Sequence, residues 1–447
     1  MVRLTARRSK AQLVAPARPT PRETKALSDM DDCGYLRYYY CFTEFFRPVR
    51  NSPPTMDHAK AIRAALAEAL VHYYPVAGRL REMPGGRLAV DCTAEGVVFV
   101  EADADVVLED LGQPPMPPYP QDLLCDLVDE HTAVVGNPLA YMQVTRLRCG
   151  AFVLSVHVCH NLVDAMGLFQ FIGAIADIAR GEARPTISPV WNREDIFKAR
   201  TPPRIRDDIF PGHASGILTS DPDMPPNMTS QLFYFGPKEI ATLKNYVPVH
   251  LAESCTTFEI LTALMWRCRT VALGYEPGGG LPVRLVFRIN ARGKYPPIPL
   301  GYYGNAVLRP MVEASVDDLC NKPLGHALEL VHKAKLDGAT EEHVRSTVDM
   351  ITAVRTYPFL GVDRAFHVSD ITRLGQHRID LGWADRVSGG VPNMMDVMSY
   401  HMAFKNQDGQ LITAVSSFLP KPAMDRLTKE ISMWIRSDAK KLIPSSV

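Results

Sequence analysis

The 447 residues are enough for two ordinary domains and a large buried core. Hydrophobic residues make up 46% and charged residues 22%, a globular balance that excludes a disordered or fibrous chain. Lys plus Arg and Asp plus Glu are equal at 49 each, so no net field favours nucleic acid or an anionic membrane.

In chain order, residues 1–25 read as an extended arm punctuated by Pro16, Pro19 and Pro21. The aromatic run at 35–46 reads as a strand. Residues 56–73 read as an amphipathic helix, with Ile62, Leu66, Leu70 and Tyr73 on one face and Pro75 and Gly78 ending it. Two strands follow over 88–101, then an irregular loop at 112–121, which holds five prolines. Segments 141–147 and 151–158 read as a hairpin turning at Arg148-Cys149-Gly150 and running out at His160. An apolar helix continues to Gly181. Residues 182–228 are proline-rich and aperiodic, the best candidate linker between two halves.

The second half opens with a strand, QLFYFG, and a helix, PKEIATLKNYV. An apolar helix over 256–272, a strand at 283–290 and charged helices over 321–357 come next. Strands at 366–372, 395–404 and 410–417 precede a last helix from 423 to 440. Strands alternate with helices in both halves, which predicts an α/β class built of sandwiches.

Nine scattered cysteines without a C-x-x-C pair suit free thiols in a reducing compartment, not a disulfide framework or a zinc site. No apolar run reaches the roughly 18–20 residues of a membrane span. The expected location is therefore cytoplasmic. The closing Ser445-Ser446-Val447 is only loosely like a peroxisomal tripeptide.

A strand that ends on an imidazole, His160, with a carboxylate, Asp164, four residues on at a turn can hold a base rigidly at a pocket mouth. The same pattern suits a satisfied core histidine and a helix cap. His157 adds an H-x-x-H spacing, but no third and fourth ligand follow, so no metal is expected.

Four segments carry a family resemblance: Tyr74-Pro75-Val76-Ala77-Gly78-Arg79, the H-x-x-x-D of His160 to Asp164, Gly301-Tyr302-Tyr303-Gly304-Asn305, and Asp380-Leu381-Gly382-Trp383-Ala384. In this order the chain resembles the plant BAHD acyl-CoA-dependent acyltransferases. Pro19-Thr20-Pro21, Leu27-Ser28-Asp29 and Val190-Trp191-Asn192-Arg193-Glu194 are similar to the alcohol acyltransferase branch, which includes benzyl alcohol O-benzoyltransferases. The Arg-rich first 22 residues have transit-peptide composition but resemble this family's own first strand. Ala165, Leu381 and Ala384 depart from the family pattern; Ala384 matters only if φ must be positive there.

The resemblance implies two similar α/β sandwich domains of the chloramphenicol acetyltransferase type, with mixed sheets and an interdomain channel. The halves would be 1–195 and 229–447 about a crossover linker at 196–228, with a segment near 365–400 crossing back to complete the first. It implies a monomer that joins an acyl-CoA co-substrate to a small alcohol acceptor, with no tightly bound cofactor and no nucleic-acid partner. His160 would be the general base and Trp383 the oxyanion donor, although an aromatic core plug is the other reading of Trp383. Asp164, Asp380 and Arg292 would be structural, Arg292 pairing with one of the two carboxylates. Thr256 and Thr257 read equally as contacts for coenzyme A or as an ordinary N-cap. Three rivals are an amine-acylating member, a non-catalytic acyl-CoA-binding relative, and a condensation domain, whose second histidine would stand where this chain has Cys159.

Overall fold

Two mixed sheets, each backed by helices, organise the computed structural model, which describes residues 4–50, 56–129, 131–206, 209, 227–276, 281–294, 298–355, 364–393 and 398–436. Most of the expected linker (207–208 and 210–226), the expected end of the last helix and the C-terminal tripeptide lie outside the described residues.

In the first sheet the strands run in the order Ala6–Arg8, Val97–Ala104, Ala140–Leu147, Phe152–Cys159, Tyr39–Pro48 and Ala384–Gly390, with Gln12–Val14 also paired to Val97–Ala104. The proline-punctuated arm thus supplies two short edge strands. Every residue of Phe152–Cys159 is buried, as a central strand covered on both faces requires. Phe152, Leu154, Val156 and Val158 pack in the cluster that holds the helices His58–His72 and Ala165–Ala179. The alternate residue Ser155 turns to the other side, where its hydroxyl donates to the Leu123 carbonyl at 2.7 Å.

The second sheet runs Met228–Phe235, Leu411–Pro420, Met398–Lys405, Ala365–Asp370, Val283–Phe287 and Met311–Ala314. Its helices Thr257–Leu273, Leu324–Asp337 and Lys421–Ile435 pack with it around a second core. The stretch that returns to the first sheet is Ala384–Gly390, antiparallel to Tyr39–Pro48, while Ala365–Asp370 and Met398–Lys405 on either side belong to the second. Ala384 opens that returning strand with β backbone, so the glycine's conformational freedom is not needed there. Exchange runs the other way too: Met30, Cys33 and Leu36 pack in the second core beside Ile196 and Phe197. Among the described residues no helix is long and apolar enough to cross a membrane.

Candidate active site

His160 follows directly on the buried strand Phe152–Cys159, and both halves hold its backbone. Its N–H donates to the Tyr38 carbonyl at 2.9 Å, and its carbonyl accepts from Asn305 Nδ2 of the second half at 2.8 Å. The ring lies against Tyr40 and Tyr38, at centroid distances of 4.6 and 5.2 Å. The residue keeps partial solvent access, yet its Nδ1 is buried with no other residue bonded to it. Burial pulls its pKa down to about 4; Arg309 and Arg288 push the same way, while its own carbonyl and Asp164 oppose them. The imidazole is therefore neutral at pH 7 and able to take a proton. Next to it, burial pushes the Cys159 thiol up to about 12, which leaves no thiolate there.

Asp164 caps the helix Ala165–Ala179 by accepting from the Gly167 N–H at 2.8 Å. Arg292 of the second half grips the same carboxylate with both terminal nitrogens, at 2.8 and 3.0 Å, and the Ala306 N–H adds a bond at 3.0 Å. Asp164 is 1% exposed, so these bonds replace its hydration. Gly167 lies so close to the loop around Tyr303 that a Cβ would come within 2.1 Å of its carbonyl oxygen. Only a residue without a side chain fits.

A second buried pair, not singled out from the sequence, lies beneath the His160 turn. Asp31 and Arg193, both 0% exposed, pair at 3.0 Å. Asp31 also accepts from the backbone and side-chain nitrogens of Asn305, each at 2.8 Å, and Arg193 donates to the Leu162 carbonyl. Asn305 therefore ties Asp31 to His160 through one amide. Asp31, Arg193 and Asn305 each fall within or beside segments that carried the family resemblance, but nothing in those segments foretold that they meet.

The second motif lies elsewhere. Asp380 pairs with Arg180 at 3.3 Å, not with Arg292, and both line a cavity of about 310 Å³ with Gln170, Asp177 and Arg378. Trp383 corrects an expectation. It stacks on His58 at 5.0 Å and lies 5.6 Å from Phe152, while its indole N–H donates to the Ala179 carbonyl at 3.3 Å. Phe152 and His160 mark opposite ends of one strand, roughly 25 Å apart at about 3.3 Å per residue. Trp383 is thus a core residue and cannot serve an oxyanion beside His160. Changing Trp383 to Phe should leave kcat/KM within about threefold while costing roughly 1 kcal/mol for the lost hydrogen bond. A loss of turnover at unchanged melting temperature would contradict this placement.

Thr256 is the N-cap of Thr257–Leu273 in a capping box: its hydroxyl and N–H both bond Glu259, at 2.5 and 2.7 Å. Burial pushes the Glu259 carboxyl up, but the Thr256 bonds, Lys335 and His332 outweigh it and hold it below the ordinary range. Thr256 and Thr257 remain exposed at this helix end. Lys294 is exposed, and its pKa is lowered by partial desolvation and by the neighbouring Lys335. Among the described residues no group of three His, Cys, Asp or Glu side chains is placed to hold a metal ion.

The model of the Transferase family matches residues 4–433. Spermidine hydroxycinnamoyltransferase 1 of Oryza sativa subsp. japonica is 48% identical, over 92% of this chain and 94% of that protein. Benzyl alcohol O-benzoyltransferase of Nicotiana tabacum is 43% identical, over 97% and 95%. Among solved structures, F. sporotrichioides TRI101 complexed with coenzyme A and T-2 superposes with a TM-score of 0.73 at 16% identity, covering 93% of this chain and 98% of that one, so the fold is shared. The chain belongs to this Transferase family, the BAHD acyltransferases, and is an acyl-CoA-dependent acyltransferase.

Proposed function

We propose that the chain makes esters, moving the acyl group of benzoyl-CoA or acetyl-CoA to benzyl alcohol or another small primary alcohol, with His160 as general base. The observation that carries this reading is a neutral, partly accessible imidazole held between the two halves with Nδ1 buried. Its Nε2 takes the acceptor's hydroxyl proton as the oxygen attacks the thioester carbonyl carbon. The tetrahedral intermediate then expels the sulfur of coenzyme A, and the same proton passes from Nε2 to that sulfur. No acyl-enzyme forms. The field of Arg288 and Arg309, which disfavours a charged His160, favours negative charge on the tetrahedral oxygen.

Asp164 and Arg292 act on this chemistry only by holding the His160 turn, and Asp380 is likewise structural. For the coenzyme, the exposed helix start at Thr256 and Thr257 offers its positive dipole end beside Lys294 and Lys335. The site draws both of its sides from one chain, which supports a monomer, and nine cysteines with no disulfide among them support a reducing compartment such as the cytoplasm. A second reading, acylation of an amine, is favoured by the spermidine-acylating name of one relative.

Release of coenzyme A thiol, followed across a panel of acyl-CoAs against alcohols and amines, tests the reading. Ester formation from benzyl alcohol, at about 1 per second or faster, is expected. Amide products alone would favour the second reading. No thiol release with any acceptor would remove both.

A further inference from the structure

The helix Ala165–Ala179 carries two buried glycines that the structure uses differently. At Gly167 a Cβ would collide with the Tyr303 backbone, so glycine is required. At Gly173 a Cβ would meet only Arg378, at an ordinary 3.7 Å. Packing does not demand glycine there, and glycine inside a helix is destabilising relative to alanine. What the missing side chain leaves is space. With Ala174, Pro185 and Ile187, Gly173 lines the cavity of about 310 Å³ that Arg378 also borders.

The charges around this cavity are spent on one another with one exception. Arg180 donates to Asp177 at 3.0 Å and pairs with Asp380 at 3.3 Å. Asp177 also accepts from the Thr186 N–H at 2.7 Å, and Asp380 from the Gly382 N–H at 2.9 Å. Arg378 is exposed, and among the described residues no oxygen accepts from its guanidinium.

That free guanidinium selects the occupant. Its planar fork matches a carboxylate with two parallel hydrogen bonds. Asp177 and Asp380 line the same cavity, so their charges repel a phosphate dianion more than a carboxylate. The apolar lining calls for an apolar body on the ligand, and a flat ring suits a floor that lacks a side chain at Gly173. The volume is at the small end for ligand sites, enough for one ring. Gly173 lies roughly 13 Å along the helix from Asp164, at about 1.5 Å per residue, so the cavity is separate from the His160 turn.

We propose that this cavity is a second binding site and takes a small aryl carboxylate, paired with Arg378 and with its ring on Gly173 and Ala174. The site is independent of the acyl-transfer reading of His160.

The test is equilibrium binding of benzoate to the full chain, read by ligand-detected NMR with and without saturating coenzyme A. Benzoate should bind with a Kd of about 1 mM or below, unchanged by coenzyme A. Benzamide, of the same shape without the charge, and inorganic phosphate should each bind about tenfold more weakly or worse. Arg378→Gln should weaken benzoate about tenfold and leave benzamide unchanged. Gly173→Leu, which fills the floor, should abolish binding of both. Should that variant fail to fold, the exposed Arg378→Gln decides alone. The proposal is overturned by no benzoate binding at about 10 mM, by benzamide or phosphate binding as well as benzoate, or by benzoate affinity that survives in Arg378→Gln. Displacement of benzoate by coenzyme A would place it at the His160 site and overturn the proposal as well.

Discussion

Replacing His160 with Ala is expected to lower kcat by roughly 10²–10⁴, the usual worth of a positioned general base, while the affinity for coenzyme A changes little. The side chain ends against Tyr38 and Tyr40 and carries no structural ion pair. Its removal therefore takes away a proton acceptor more than a support. The pH dependence gives an independent check. Burial places the folded pKa at about 4, below the ordinary 6.5, and the neutral ring is the active form. Activity should thus be flat near neutrality and fall on the acid side with an inflection between these values. The remaining solvent access to the ring limits how far down it lies. The linkage has the same sign: the fold favours the uncharged ring, so its contribution to stability is complete above pH 6.5 and is lost as the pH falls toward 4. The Ala variant should show a shallower acid decline in stability than the parent. Near-wild-type turnover in that variant would remove His160 from the chemistry.

Asp164→Asn is expected to cost stability. Asparagine caps a helix as well as aspartate, so the start of Ala165–Ala179 survives, and what disappears is the charge that Arg292 grips. Breaking a buried pair costs roughly 3–5 kcal/mol; Arg292 keeps 16% side-chain exposure, which places the expectation at the lower end, about 3 kcal/mol. Melting should fall by on the order of 5 °C. A double-mutant cycle with Arg292→Gln should recover most of this loss as coupling between the two sites. A variant that melts like the parent but turns nothing over would make Asp164 a direct participant.

Much of the architecture was legible from local pattern. The spacing of Ile62, Leu66 and Leu70 marks one face of a helix, and the structure buries those three side chains in His58–His72. The apolar run before His160 lies in a strand buried along its whole length, and Asp164 caps the helix after it. Trp383 was misplaced for a physical reason. Motif membership says which residues recur together, whereas distance depends on where each strand begins and ends. Ala384–Gly390 joins the first sheet beside Tyr39–Pro48, and its start meets the Pro48 end, far from Tyr39 and His160.

The sequence alone determined the α/β alternation, the landmarks of the family, the strand that delivers His160 and the cap at Asp164, because each follows from contacts within a few residues. The tertiary structure alone decided that Arg292 serves Asp164 and that Asp31 meets Arg193. These partners lie far apart in the chain, and charges in water are screened and freely exchanged. Selective pairing arises only when burial strips their hydration and the two halves close around them.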